Sequence, residues 1–169
     1  MKNSIYIFPM VLVLLFSACS NEEQLPNIGG FTVDTVAILK ILDEEGNDLL
    51  DPGHERYLDP SKIKVFYERD GRMIEFIETH LDMPRNFRIG SPHEFRNEYV
   101  MFLVLDSEKT VVQWNENDSD TIHAEFFKYS GSSFMIRVIK VLFNGELKWD
   151  AESKSAREFT IIKHLNSVN

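Results

Sequence analysis

KIKVFYERDGRMIEFIE, Lys62 to Glu78, alternates in polarity from its first residue. Ile63, Val65 and Tyr67 fall on one side of an extended chain and Lys62, Lys64 and Glu68 on the other, the period-two pattern of a strand with one face buried. Arg69-Asp70-Gly71-Arg72 follows, a tight-turn signal because Gly accepts positive φ without strain and Asp tolerates it. Met73 to Glu78 is then the return strand. The dominant period is two rather than the 3.6 of a helix.

The same period runs outward in both directions. Thr32 to Leu42 (TVDTVAILKIL) is β-branched and apolar on both sides, as a covered central strand would be. Glu98 to Leu105, Thr110 to Trp114, Ile122 to Tyr129, Ser133 to Phe143 and Glu158 to His164 are further strands. Asn115 to Asp120 and Ser130 to Ser132 read as turns. Asn144-Gly145 lies between apolar flanks and marks a two-residue hairpin. Ala151 to Arg157 is polar throughout and offers at most one helical turn. About seven to nine short antiparallel strands at regular spacing predict an all-β chain, a single immunoglobulin-like or related β-sandwich, with a barrel as the alternative.

Composition sets outer bounds. The chain has 169 residues, 27 of them acidic against 18 Lys and Arg, for a net charge of −9. That balance speaks against nucleic acid, whose phosphates require clustered cations. The 13 Phe, five Tyr and two Trp provide ample apolar surface for a core.

The beginning of the chain reads as an address. Lys2 precedes an apolar run from Ile5 to Phe16, and Ser17 and Ala18 are small, the layout of a secretory signal peptide over residues 1–18. The run is shorter than the roughly 20 residues a transmembrane helix needs. Phe16-Ser17-Ala18-Cys19 resembles the lipobox of bacterial lipoproteins, with Phe in place of the usual Leu. The resemblance implies that Cys19, the chain's only cysteine, carries a diacylglyceryl group and becomes the first mature residue. No second thiol exists for a disulfide. Residues 19–30 would be the lipidated Cys and a flexible tether, and residues 31–169 the folded domain. Glu22 and Glu23, shortly after the cysteine, resemble the surface-export signal of Bacteroides-type lipoproteins. The implied location is the outer membrane, at the cell surface, with a periplasm-facing orientation as the alternative.

DEEGNDLLDP (Asp43 to Pro52), LDPSKIKVFYERDGR (Leu58 to Arg72), VIKVLFNGELKW (Val138 to Trp149) and FTIIK (Phe159 to Lys163) together resemble a group of small lipoproteins from Bacteroides-type bacteria. The resemblance implies a lipid-anchored, β-rich domain and brings no catalytic residues with it.

Motifs for chemistry are sparse. Asp43, Glu45, Asn47 and Asp51 are spaced like part of a calcium loop, but an EF-hand wants Gly at its sixth position and Glu at its twelfth, where this chain has Asp48 and His54. Gly46-Asn47 therefore reads as a turn. The histidines at 54, 80, 93, 123 and 164 form no HExxH, and Ser130 to Ser133 is not a nucleophile elbow. No catalytic residue, metal or cofactor is expected. The longest stretch without a strand pattern, His80 to Asn97, gathers Arg85, Arg88 and Arg96 with Phe87 in an otherwise acidic chain. Arg beside aromatic residues is a common interface anchor, so these four are the candidate binding residues, against a reading of the segment as a crossover between sheets. The expected function is a non-catalytic envelope lipoprotein, anchored in the membrane through Cys19, that binds or scaffolds an unknown protein or glycan partner. Surface glycan capture through Trp114, Trp149, Tyr67 or Tyr129 is one alternative, and a hydrolase with an unrecognised carboxylate site is another.

Overall fold

The computed structural model describes residues 30–164, so the expected leader, Cys19 and the expected tether before Gly30 lie outside the described residues. Eleven strands make two sheets. The Lys62 to Glu78 stretch becomes β3 (Lys64–Arg69) and β4 (Arg72–Glu75), paired antiparallel, with Asp70 at φ 50° and Gly71 at φ 74° in the turn between them. Those two positive angles match the right-handed twist of the flanking strands.

Thr32 to Leu42 does not form one central strand. It divides at Thr35 into β1 (Phe31–Asp34) and β2 (Val36–Asp43), which belong to different sheets. All four residues of β1 are exposed, whereas β2 alternates, with Ala37, Leu39 and Ile41 fully buried. The chain switches layers there, and the Thr35 carbonyl accepts the amide of Leu105 at 2.9 Å.

The smaller sheet runs β11 (Glu158–Lys163), β2, β6 (Val100–Val104), β5 (Phe87–Gly90). The larger runs β1, β9 (Phe134–Phe143), β8 (Asp118–Ser130), β7 (Lys109–Asn115), β3, β4. A further strand, β10 (Glu146–Asp150), also pairs with β9. β9 can hold three partners because β8 follows one edge throughout, while β1 takes Phe134 to Arg137 on the other edge and β10 takes Lys140 to Phe143. β5 lies inside the stretch expected to hold no strand.

The sandwich is therefore present, and among the described residues no barrel closes. The sheets are mixed rather than purely antiparallel. β1 pairs parallel to β9, and β11 parallel to β2. Both are the outermost strands of the described chain, joining partners about a hundred residues away, pairings that no local hairpin can make.

Leu39 and Ile41 of β2, Met101 and Leu103 of β6 and Ile161 of β11 face Val65, Val112, Trp114, Ile122 and Val141 of the large sheet. Leu49, Leu50 and Leu58, from the connection before β3, close one side of this core. Tyr67 ties the layers together, its buried hydroxyl donating to the Val104 carbonyl at 2.6 Å. Burial pushes that phenol well above its ordinary value.

Candidate functional site

The arginine segment separates into three different environments. Arg85 Nη1 donates to the carbonyls of Ser61 at 2.6 Å and Ile63 at 3.0 Å, pinning the loop that leads into β3. Phe87 opens β5 and is buried in the core. Arg88 and Arg96 are exposed and do share a surface. Arg88 lies over the Phe102 ring at 4.1 Å, Phe95 meets that ring edge-on at 5.9 Å, and Arg96 lies over Phe95 at 5.0 Å. Carboxylates close the row at both ends, Glu94 accepting from Arg88 at 3.3 Å and Glu158 from Arg96 at 3.1 Å. Phe102 rests directly above Gly90, where a Cβ would come within 2.7 Å of its ring. This ladder folds the loop after β5 onto the outer face of the small sheet. Two of the four candidates hold the fold together, and the other two cover a sheet face with their charges already paired.

The acidic stretch after β2 is a closed turn. Asp43 Oδ1 accepts the amides of Glu45 at 2.9 Å and Asn47 at 2.8 Å, and Oδ2 accepts the Asn47 side chain and the Arg56 guanidinium. Burial would raise the Asp43 carboxyl, but these donors outweigh it and hold it below the ordinary value. Its oxygens are turned to the chain's own donors. Among the described residues no group of three His, Cys, Asp or Glu side chains is arranged to hold a metal ion.

Another buried polar cluster crosses between the sheets. Lys163 of β11 donates to Asp118 at 2.8 Å and to Asp120 at 2.7 Å, and Asp120 also accepts Trp114 Nε1 at 2.6 Å and Asn144 Nδ2 at 2.7 Å. Trp114 is 1% exposed, so its indole serves the core. Trp149 lies beneath Arg157, whose guanidinium is 4.6 Å from the ring and also bonds Asp34 at 3.0 Å. Of the four rings Trp114, Trp149, Tyr67 and Tyr129, Tyr129 is the most exposed, at 46%.

The concavity of interest lies elsewhere. β8 and β9 run on past the core as an arm whose turn is Gly131 to Ser133. Beneath its foot is an open groove of roughly 450 Å³. One wall is Val33, Phe126 and Ile136. The other is Val104 and Leu105, where β6 leads toward β7. Glu68, Arg69, Asp70, Asp106, Glu108 and Lys128 also line the groove, with Arg69 paired to Asp106 and Lys128 over Phe126. Apolar side chains beside converging polar groups are a common make-up of a binding site. The sequence did carry a trace of it. In FFKYSGSSFMIR, Phe126 to Arg137, apolar residues occupy both sides of the alternation and there is no acid. Compared with protein-family models, with curated proteins and with solved structures, the chain matches none of them.

Proposed function

We propose that this chain is a non-catalytic lipoprotein of the cell envelope, a β-sandwich held at the outer membrane by lipid on Cys19, that binds a partner in the groove beneath the β8–β9 arm. The observation that carries the reading is Phe16-Ser17-Ala18-Cys19, a lipobox-like motif holding the chain's only thiol directly after an apolar run. Several acyl chains on one cysteine hold a protein at a bilayer far better than one does. The groove supports the binding half of the reading. Its walls are apolar side chains on strands, with Val33 exposed and Val104, Phe126 and Ile136 half-buried, and its volume is roughly 450 Å³. The polar clusters leave the groove as the candidate surface, since Asp43, Asp120 and Arg157 are each committed to turns or to links between sheets.

The test has two arms. Labelled fatty acid should enter the wild-type chain in a Gram-negative host and not the Cys19→Ala chain, which should fractionate as soluble protein. An unlabelled wild type sinks the anchor. A photo-crosslinking residue at Glu108, on the groove's rim, should then give a protein adduct in intact cells that the same residue at Asn117 does not. Equal patterns at the two positions would place binding outside the groove.

A further inference from the structure

The β8–β9 arm exposes more large apolar surface than a water-facing hairpin needs. Phe127 is 41% exposed, Tyr129 46% and Phe134 38%, and Phe31 of β1, stacked on Phe134 at 4.9 Å, is 73% exposed. From Phe126 to Arg137 the arm has six aromatic or large aliphatic residues, two cations and no acid, in a chain of net charge −9. The cations lie against rings, Lys128 over Phe126 and Arg137 over Phe127. The described chain also begins here, since the Gly30 carbonyl accepts the Phe134 amide at 2.9 Å. Gly30 lies eleven positions after Cys19. A stretch of that length spans at most about 40 Å, and about 18 Å on average as a flexible coil.

From these observations we infer that the arm docks on the bilayer that holds the lipid anchor, its rings in the headgroup region and its cations toward anionic lipid. The inference rests on the anchor reading above. Aromatic side chains with a polar tip favour the boundary between headgroups and hydrocarbon, and Lys and Arg nearby reach the lipid phosphates. The acidic body is repelled by the same surface, so only the arm approaches it. β8 runs from Asp118 to Ser130, so the turn at Glu116 and Asn117 lies about 40 Å from the arm's tip and well away from the bilayer. Docking of this kind would set which way the groove's mouth faces.

Tryptophan depth measurement on the full lipidated chain tests this. Tyr129→Trp and Glu116→Trp are each reconstituted in vesicles of phosphatidylethanolamine and phosphatidylglycerol with brominated acyl chains, with the wild type as baseline. The Tyr129→Trp chain should show a blue-shifted emission and lose most of the added fluorescence to the bromines, and the Glu116→Trp chain should lose none. Phe127→Trp repeats the reading should the Tyr129 substitution disturb the turn at Gly131. Mass spectrometry of the Cys19 peptide and flotation with the vesicles are read on the same samples. A lipidated, floating chain unquenched at both arm positions overturns the arm's docking and leaves the anchor standing. A blue shift without quenching means that the arm is covered by protein, a second copy of the chain, and also overturns it. A chain with unmodified Cys19 that does not float removes the anchor reading and the docking with it.

Discussion

Asn144 and Gly145 hold φ at 49° and 84°, the left-handed region that a two-residue hairpin of type I′ demands at both positions. Asn144 has a second task, because its Oδ1 accepts the Thr121 amide at 2.9 Å while its amide nitrogen serves Asp120. Gly145 has no neighbour within 4 Å of where a Cβ would stand, so Gly145→Val meets backbone strain alone. The substitution should destabilise by roughly 1–3 kcal/mol, read as a lower urea midpoint. An unchanged midpoint would show that the turn relaxes freely. Asp120 offers a second test by pH. Burial would raise its carboxyl, and the bonds from Lys163, Asn144 and Trp114 outweigh that and lower it. A carboxyl lowered on folding contributes stability that is complete above its ordinary value of 3.8 and is lost as pH falls through the lowered folded value. Asp120→Asn should therefore flatten the acid limb of a stability–pH curve below that value. Asp43, lowered in the same way, keeps part of the slope. An acid limb identical to wild type would show that the Asp120 bonds do not form in solution.

Strands and hairpins were legible to the extent that their partners were local. β3 with β4 and β9 with β10 were readable because turn residues and alternation lie within a few positions of each other. The return strand stops at Glu75 rather than Glu78: the Phe76 amide still donates to the Val65 carbonyl at 2.8 Å, but the Glu78 amide turns to the Pro84 carbonyl at 2.8 Å. The parallel pairings of β1 and β11 were not readable, since nothing within Phe31 to Asp34 or Glu158 to Lys163 names a partner so far along the chain. The break at Thr35 was hidden for a related reason: a largely β-branched and apolar sequence, interrupted by Asp34 alone before the break, suits one covered strand and also two strands that change sheets. At the candidate site, an arginine's type does not reveal whether its donors meet a partner molecule or the chain's own carbonyls, as Arg85 does. The β11 assignment can be tested through Lys163, whose 7% exposed side chain links β11 to Asp118 and Asp120 of β8. Lys163→Met leaves the Asp120 charge short of its cation. It should destabilise by about 3 kcal/mol, the lower end for removing one partner of a buried pair, because Trp114 and Asn144 still donate. Adding Asp120→Asn should restore part of the loss. A double variant whose loss equals the sum of the two single losses would mean that the residues are not coupled.

At the scale of the whole molecule, the outer strands close the structure. β11 is an edge strand by sheet order, yet it contributes Phe159 and Ile161 to the core and Lys163 to the polar link between the sheets. Just before it, Arg157 bonds the Asp34 carboxylate and the carbonyls of Val36 and Val138, so one side chain touches β1, β2 and β9. Removing the chain from Arg157 onward would expose one side of β2, strip the guanidinium from three strands and leave Asp120 without its cation. The two sheets share one core, so these losses fall on a single cooperative unit rather than on a detachable edge. A chain ending at Ala156 should therefore lose its sharp urea transition, followed through the buried indole of Trp114, and its emission should lie near that of an unfolded chain at every concentration. Pairing across so long a separation also makes folding slow, because the loop must close before β2 and β11 gain from their contact. Adding the missing segment as a separate peptide should then restore the transition in proportion to its concentration, which a merely solubilising tail would not do. A truncated chain that unfolds with the wild-type midpoint would show that the sandwich is complete without β11.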